Sequence, residues 1–206
     1  MKYRSITSLV VLLTIVVSLT SAQKISGGIK AGMNLANLRG DEVEDSKMKM
    51  GFCGGGFVSF ILGKVVVIQP ELLYSQKGAK WEEEFMDETY KMTYKFNYVE
   101  IPLFIKMIAP VQGTVKPNLF LGPYFGIMIA DARVEAEIDG TTMEDDLEGV
   151  KDTDFGVVFG AGVDFGLGKG KVVFDVRYSL GLTTLDDEGE ADVKNNVLSF
   201  LLGYSF

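Results

Sequence analysis

Apolar and polar side chains alternate along most of this chain with a period of two residues, which is the period of a β-strand. The alternation is clearest over residues 171–182 and 195–206. In the first of these segments one face carries large apolar residues, and the other carries small or charged residues that include Asp175 and Arg177. The pattern predicts an all-β protein, with no helix in the chain after residue 22.

Eight segments have this alternation, near residues 25–36, 48–61, 64–78, 91–108, 117–134, 153–166, 171–182 and 195–206. Three of the connections are short turns, at residues 62–64, 110–113 and 167–170. The other four are long and rich in charge, at residues 37–47, 79–90, 135–152 and 183–194. Strands of about ten residues can cross a bilayer at a tilt. Such strands, with short turns on one side and long loops on the other, predict an eight-stranded antiparallel up-and-down transmembrane β-barrel.

The start of the chain has a different pattern. Lys2 and Arg4 precede an apolar stretch over residues 9–19, and small residues follow it. This order is typical of a cleaved secretory signal peptide, so we expect a signal peptide over 1–22 and a barrel domain over 23–206. An uncleaved membrane anchor is the alternative, but the apolar stretch is short for a spanning helix of about 20 residues.

Composition excludes several classes of function. The 206 residues include 28 acidic and 20 basic residues, no His and one Cys, Cys53. An acidic chain lacks the basic face that nucleic-acid binding requires. A single Cys forms no internal disulfide. Without His there is no Ser-His or Asp-His catalytic pair, so we expect no enzyme activity and no cofactor or metal, with a carboxylate dyad as the remaining catalytic alternative.

The acidic residues are concentrated in four segments of the predicted long connections. Solvated loops are the preferred interpretation of these segments. Cation binding at the cell surface is the alternative, although the spacing matches no known calcium-binding loop. The segments are Asp41–Asp45, Glu82–Glu84, Glu144–Asp146 and Asp186–Glu188.

Charged residues of both signs also occur on the strand face opposite the large apolar residues. A charge inside a narrow barrel is costly unless it is paired or hydrated. We therefore predict a network of ion pairs in the lumen, with Arg177 and Glu100 among its members. Its role is expected to be structural, because an eight-stranded barrel is just wide enough for side chains. The predicted lumen residues are Lys30, Glu71, Glu100, Lys106, Asp164, Asp175 and Arg177.

The last strand carries a second pattern. Large apolar or aromatic residues alternate up to a final Phe, as is typical of the segment that the barrel-assembly machinery recognises in outer-membrane barrels. We expect these residues to form an assembly signal. They are Phe200, Leu202, Tyr204 and Phe206.

Five short motifs, in the same order along the chain, resemble the PorT-like outer-membrane β-barrel family of Bacteroidetes. The resemblance covers essentially all of the chain after residue 22. It implies an eight-stranded barrel in the outer membrane of a Gram-negative bacterium, and the founding member is tied to the secretion of surface proteinases. The motifs are QPELLYSQKG at 69–78, YVEIPL at 98–103, LGPYFG at 121–126, GAGVD at 160–164 and DVRYSLGL at 175–182.

The resulting hypothesis is a non-catalytic outer-membrane barrel with a structural, interaction or envelope- and secretion-associated role. Its expected partners are outer-membrane lipid, the barrel-assembly machinery and envelope or secretion proteins. Two alternatives stay open. One is a small pore, and the other is a soluble periplasmic lipocalin-like barrel that binds an apolar ligand, since alternation alone does not tell an apolar exterior from an apolar interior.

We predict that removal of Phe206 impairs assembly, because it removes the last residue of the proposed signal. The measurement is heat-modifiable gel mobility of the outer-membrane fraction, in which a folded barrel migrates differently from the unfolded chain. Ser205→Ala, on the opposite face of the same strand, is the control and should assemble normally. Normal insertion of the chain without Phe206 would contradict the prediction.

Overall fold

The computed structural model describes residues 24–40, 43, 46–85, 88–138, 141–187 and 191–206. The predicted signal peptide at 1–22 lies outside the described residues. So do five residues of the predicted acidic segments: Asp41, Glu42, Glu44, Asp45 and Glu188.

Eleven β-strands form the regular structure of the described residues, and every pairing between them is antiparallel. Within the part of the chain that is described, no helix is long and apolar enough to span a membrane. The strands are β1 (Lys24–Arg39), β2 (Lys47–Leu62), β3 (Val66–Lys77), β4 (Ala79–Phe85), β5 (Glu88–Ile108), β6 (Val115–Met128), β7 (Arg133–Ile138), β8 (Thr141–Asp146), β9 (Thr153–Leu167), β10 (Gly170–Gly181) and β11 (Lys194–Ser205).

Eight of these strands close into a barrel. The order around the ring is β3-β2-β1-β11-β10-β9-β6-β5, and β5 pairs with β3 to complete it. The first and last strands are joined over twelve residue pairs, for example Met33 opposite Phe200. Each barrel strand therefore lies next to its neighbours in the chain. The predicted all-β, eight-stranded antiparallel up-and-down barrel is confirmed.

One end of the barrel, which we call the turn end, carries the start of β1, the end of β11 and three short turns. Residues 63–65 join β2 to β3, residues 109–114 join β5 to β6, and residues 168 and 169 join β9 to β10. Gly63 and Gly168 have φ values of 71° and 62°. Glycine adopts this left-handed conformation without the steric cost that other residues incur. The three predicted short turns are confirmed.

The opposite end, the extended end, differs from the prediction. Residues 79–90 and 135–152 were expected to be long loops, but the structure shows strands in both segments. β4 pairs with the first half of β5, β7 pairs with the same half, and β8 pairs with β7. β5 has 21 residues, about twice the 9–11 that cross a bilayer. The barrel wall therefore continues well beyond the membrane-spanning part as a β-structured extension.

The physical reason for this difference is cross-strand charge pairing. Opposite charges that face each other on neighbouring strands stabilise a sheet, so a dense run of charge does not require a loop. Lys91 lies opposite Glu137 in the register. Lys95 pairs diagonally with Glu135, which lies opposite Thr93. The predicted strand 117–134 is also wrong in extent, because β6 ends at Met128 and β7 begins only at Arg133.

A β-bulge marks the step from the barrel wall into the extension. β3 pairs Ser75 with Cys53, whereas β4 pairs Ala79 with Met48, so β2 uses one more residue than its partner across this step. Gly78 lies between β3 and β4 with φ of 128°. A β-carbon at Gly78 would lie 1.9 Å from the carbonyl oxygen of Tyr94. Only glycine fits at this position, and the extra residue of β2 leaves the pairing intact on both sides of the step.

The outer face of the barrel is apolar and exposed, and the inner face is polar and buried. Leu119, Phe159 and Leu202 on the outside are 60%, 53% and 59% exposed, whereas every predicted lumen residue is at most 7% exposed. This is the reverse of a lipocalin-like barrel, which needs an apolar interior and a polar exterior. The outer face forms an apolar belt that only a lipid environment would cover, so the soluble alternative is wrong.

We predict that Leu119→Arg lowers the free energy of unfolding by about 2–4 kcal/mol in lipid vesicles, because a charge on a lipid-facing position is costly near the bilayer midplane. The measurement is urea unfolding of the barrel after refolding into vesicles. Thr142→Arg, at an exposed position of β8, is the control and should change stability by less than about 0.5 kcal/mol. Equal effects of the two substitutions would contradict a lipid-facing belt.

Candidate functional site

The middle of the lumen holds a four-residue charge cluster. Lys30 on β1 donates hydrogen bonds to Glu71 on β3 and to Asp175 on β10, each at 2.7 Å. Arg177 on β10 pairs with Glu71 at 2.9 Å and with Asp175 at 3.0 Å. β3 and β10 are four strands apart in either direction around the ring. The Arg177–Glu71 pair therefore connects opposite walls of the barrel.

Aromatic rings fill the lumen around this cluster. The Arg177 guanidinium lies 5.0 Å from the ring of Phe104 and 5.4 Å from that of Phe120. The two rings are themselves 5.0 Å apart and both residues are buried. Cation–π contacts of this kind stabilise a desolvated guanidinium. The central layer of the lumen is thus occupied by side chains.

A second group lies closer to the turn end. Lys106 pairs with Asp164 at 3.1 Å and approaches Asp175 at 4.0 Å. Asn118 donates a hydrogen bond to Asp164 at 3.0 Å, and Lys171 approaches the same carboxylate at 3.4 Å. This group is therefore continuous with the central cluster through Asp175.

A third group lies toward the extended end and centres on Lys77. Its amino group pairs with Glu100 and, at 2.9 Å, with Asp154, and it lies 4.4 Å from the ring of Tyr124. Tyr124 and Asn195 also donate hydrogen bonds to Asp154, at 3.1 Å and 2.9 Å. All five side chains are buried.

The structure thus distributes the seven predicted lumen residues over three layers. It brings Lys30, Glu71, Asp175 and Arg177 together, places Lys106 and Asp164 beside them, and separates Glu100 from Arg177. Sequence reasoning missed Lys77 and Asp154. The alternation indicates both residues, because side chains an even number of positions apart on a strand share a face. Lys77 lies six residues after Glu71, and Asp154 lies ten residues before Asp164, so both point into the lumen.

The proposed assembly-signal residues lie on the outer face of β11. Leu202, Tyr204 and Phe206 are exposed, and Phe200 is partly exposed on the same face. The backbone N–H of Phe206 donates to the carbonyl of Gly27 at 2.9 Å. This places the four side chains in the apolar belt. Their role in assembly stays a prediction.

The extended end contains an apolar cavity of about 490 Å³, which we call the end pocket. One of its walls is built by strand alternation. Tyr90, Met92, Tyr94 and Phe96 occupy alternate positions of β5 and project to the same side, and Trp81 on β4 packs edge-on against Tyr94 at 5.0 Å between ring centroids. The pocket therefore begins with an aromatic wall above the layer that holds Lys77.

The opposite wall consists of two connecting segments that hydrogen-bond to each other. Lys151 N–H donates to the carbonyl of Leu185 at 2.7 Å, and Asp187 N–H donates to that of Gly149 at 3.0 Å. Leu147 and Val150 from one segment line the pocket together with Leu185 and Asp186 from the other. These backbone bonds give the wall a defined shape although it contains no long strand.

Ion pairs between neighbouring strands support the extension around the pocket. Lys47 pairs with Glu82 at 2.7 Å, and Lys95 pairs with Glu135. The Glu135 contact raises the pKa of Lys95, and the hydrogen bond from Lys47 lowers the pKa of Glu82. Among the described residues, no group of three or more His, Cys, Asp or Glu side chains is arranged to hold a metal ion.

The end pocket was not predicted from the sequence. Its β5 wall follows from the alternation of Tyr90, Met92, Tyr94 and Phe96, which the sequence displays. The rest depends on Leu147, Val150 and Leu185, which lie in segments that were predicted to be solvated loops. Only the three-dimensional pairing of those segments brings them over β5.

A closed barrel with an apolar belt, a charged and filled lumen and a long β-structured extension defines the class of integral outer-membrane β-barrel proteins. Within that class the chain belongs to the family described as outer membrane protein beta-barrel domain, which matches residues 21–187. The protein is a small outer-membrane β-barrel located in the outer membrane. No curated protein matches the chain.

Several solved structures are similar to this chain at low sequence identity. Ail, the attachment invasion locus protein of Yersinia pestis, solved in complex with the heparin analogue sucrose octasulfate, is 17% identical with a TM-score of 0.48, covering 89% of this chain and all of that one. Neisserial surface protein A is 14% identical with a TM-score of 0.45, covering 88% and 98%. OprG from Pseudomonas aeruginosa is 11% identical with a TM-score of 0.48, covering 88% and 94%.

We predict that Arg177→Met lowers the free energy of unfolding by about 3–5 kcal/mol. The substitution removes a positive charge that compensates the buried carboxylates of Glu71 and Asp175. Urea unfolding in lipid vesicles measures the change. Lys47→Met breaks an exposed pair with Glu82 and is the control, with an expected loss of less than about 1 kcal/mol. A loss for Arg177→Met no larger than that of the control would show that the cluster does not stabilise the barrel.

Proposed function

We propose that this protein is a non-conducting, non-catalytic barrel that presents a binding site at the cell surface. One observation carries the proposal: a lumen closed by paired charges and rings lies beneath an extension that contains the end pocket. The membrane-spanning part serves as the anchor, and the extension recognises a partner. By the general rule that outer-membrane barrels have short periplasmic turns and longer outer segments, the extended end faces the outside.

The contacts in the lumen favour an anchor over a pore. A conducting lumen needs a continuous water-filled path, but Arg177 and Glu71 join opposite walls and Phe104 and Phe120 pack around them. Opening this layer would break several buried ion pairs at once, which is strongly unfavourable. The small pore is therefore the weaker candidate.

The same contacts favour a non-catalytic role. A general base needs a side chain that is available to take a proton near neutral pH, and the chain has no His to supply one. The five lumen carboxylates, Glu71, Glu100, Asp154, Asp164 and Asp175, are all held in ion pairs with buried Lys or Arg residues. A carboxylate dyad would need one of them free of its cation.

We further propose that the partner belongs to the cell envelope or to a secretion assembly. The PorT-like motifs support this, since the founding member of that group is tied to secretion of surface proteinases. We retain the export of the chain by a signal peptide over 1–22, with the barrel domain over 23–206, and recognition of β11 by the assembly machinery, as parts of the same proposal.

The orientation is tested with cysteine variants on intact cells. A membrane-impermeant maleimide should label Met143→Cys in the extension, where Met143 is 67% exposed. It should leave Val111→Cys at the turn end unlabelled until the cells are opened. The native Cys53 is buried and provides the built-in control. Labelling of Val111→Cys on intact cells, with Met143→Cys protected, would reverse the orientation.

The anchor and binding roles are tested separately. Purified protein in planar bilayers should give no stable conductance steps, and steady conductance would favour the pore. On living cells, a photo-crosslinking residue in place of Met143 should give discrete adducts. The same residue in place of Leu167, at the turn end, is the matched control. An absence of adducts from every exposed position of the extension would contradict the interaction role.

A further inference from the structure

The end pocket has a defined chemistry in addition to its place in the proposed function. Four aromatic residues, Trp81, Tyr90, Tyr94 and Phe96, line a cavity of about 490 Å³. That volume lies in the range of small-molecule sites, which measure roughly 300–1,000 Å³. Phe96 is buried, whereas Met92 and Glu148 are exposed at the edge. The pocket is thus apolar at its base and open to solvent at its rim.

The charges at the pocket are of one sign. Glu148 and Asp186 are the ionisable carboxylates among the residues that line it, and no Lys or Arg belongs to the described lining. Asp186 accepts a hydrogen bond from the N–H of Ala191 at 2.7 Å, and its carbonyl accepts one from Lys151 at 2.8 Å. Glu148 makes no ion pair with any described residue. The rim therefore offers a carboxylate that a bound cation could approach.

The chain segments of the extended end also carry a net negative charge. Among the described residues, the segments 37–47, 79–95, 129–152 and 182–194 together contain 15 acidic and 8 basic residues. Several of these basic side chains are already paired in the extension, among them Lys47, Lys95 and Arg133. A concentration of one charge around an apolar cleft raises the local concentration of ligands of opposite charge.

Aromatic rings and nearby negative charges together favour organic cations as ligands. Aromatic rings attract organic cations through their quadrupoles and bury apolar groups at the same time, and sites that enclose ammonium groups use both effects. An anionic ligand would meet the repulsion of Glu148 and Asp186. A neutral apolar ligand would use the rings but gain nothing from the charge.

We infer that the end pocket binds a small organic cation, with an apolar body against Trp81, Tyr94 and Phe96 and its positive charge toward Glu148. The inference rests on the proposed binding role of the extension and specifies the chemical class of the ligand. It does not depend on the lumen being closed, so conductance measurements and the test of this inference report on different claims.

The only tryptophan of the chain lines the pocket, so its fluorescence reports occupancy directly. The full-length mature protein in nanodiscs of zwitterionic phospholipid is titrated with 4-phenylbutyltrimethylammonium. The matched probes 4-phenylbutanol and 4-phenylbutyrate carry zero and negative charge on the same apolar body. Empty nanodiscs correct for partitioning into lipid. We expect the cation to bind about tenfold more tightly than the alcohol, and the carboxylate to produce no saturable change in Trp81 emission.

Three variants separate the contributions. Glu148→Gln should weaken the cation about threefold and leave the alcohol unchanged. Asp131→Asn removes an exposed acidic charge of the same extension away from the pocket lining, and should change either affinity by less than about 1.5-fold. Tyr94→Leu keeps an apolar side chain but removes one aromatic face, so it should weaken the cation more than the alcohol.

The outcomes are distinguishable. Equal affinities for cation and alcohol would overturn the assignment of the ligand class and leave the pocket as a site for apolar ligands. No response of Trp81 to any probe would overturn the pocket as a small-molecule site, while crosslinking at Met143 would still test the proposed interaction role. Equal weakening of the cation by Glu148→Gln and Asp131→Asn would show that the charge effect is diffuse and not directed by Glu148.

Discussion

Closure of the strand ring is the constraint on which the rest of the structure depends. Within a bilayer every backbone N–H and C=O must be satisfied by the protein, because lipid offers no hydrogen-bonding partners. The pairing of β5 with β3 and of β1 with β11 meets this requirement. Once the ring is closed, period-two alternation sends one set of side chains to lipid and the other to the lumen. The apolar belt and the charged interior are two consequences of one geometric condition.

The filled interior follows from the strand number. Eight strands enclose a space about as wide as side chains, so the lumen has no room for bulk water to solvate charges. Buried charges are then tolerated only in groups that compensate one another. The five lumen carboxylates are matched by Lys30, Lys77, Lys106 and Arg177, with Lys171 at the edge. This balance explains why the net negative charge of the chain must lie elsewhere, and the sequence places it in the segments of the extended end.

The parts that were predicted from the sequence are those that local periodicity determines. Alternation identified the eight barrel strands, the three turns and the inward direction of Asp175 and Arg177. It did not identify which inward charges meet, because Lys30, Glu71 and Asp175 lie on three strands that only barrel closure brings together. The extension was missed for a different reason. Charge density alone predicts loops, yet Lys91 faces Glu137 and Lys95 pairs diagonally with Glu135 on the neighbouring strand. This pairing makes a charged segment compatible with a sheet.

The division between barrel and extension also separates a filled, charged lumen from an open pocket within one continuous wall. The charged groups of the lumen layers are paired with each other, so they have little capacity left for a ligand. The end pocket has the opposite character, with aromatic rings that are partly exposed and a rim carboxylate, Glu148, that forms no ion pair with the residues that the structure describes. β5 runs through both environments, from Lys106 in the lumen to Tyr90 at the pocket. Because the same strand is fixed by paired charges below, it can hold an open aromatic wall above, and the barrel thereby preorganises the end pocket.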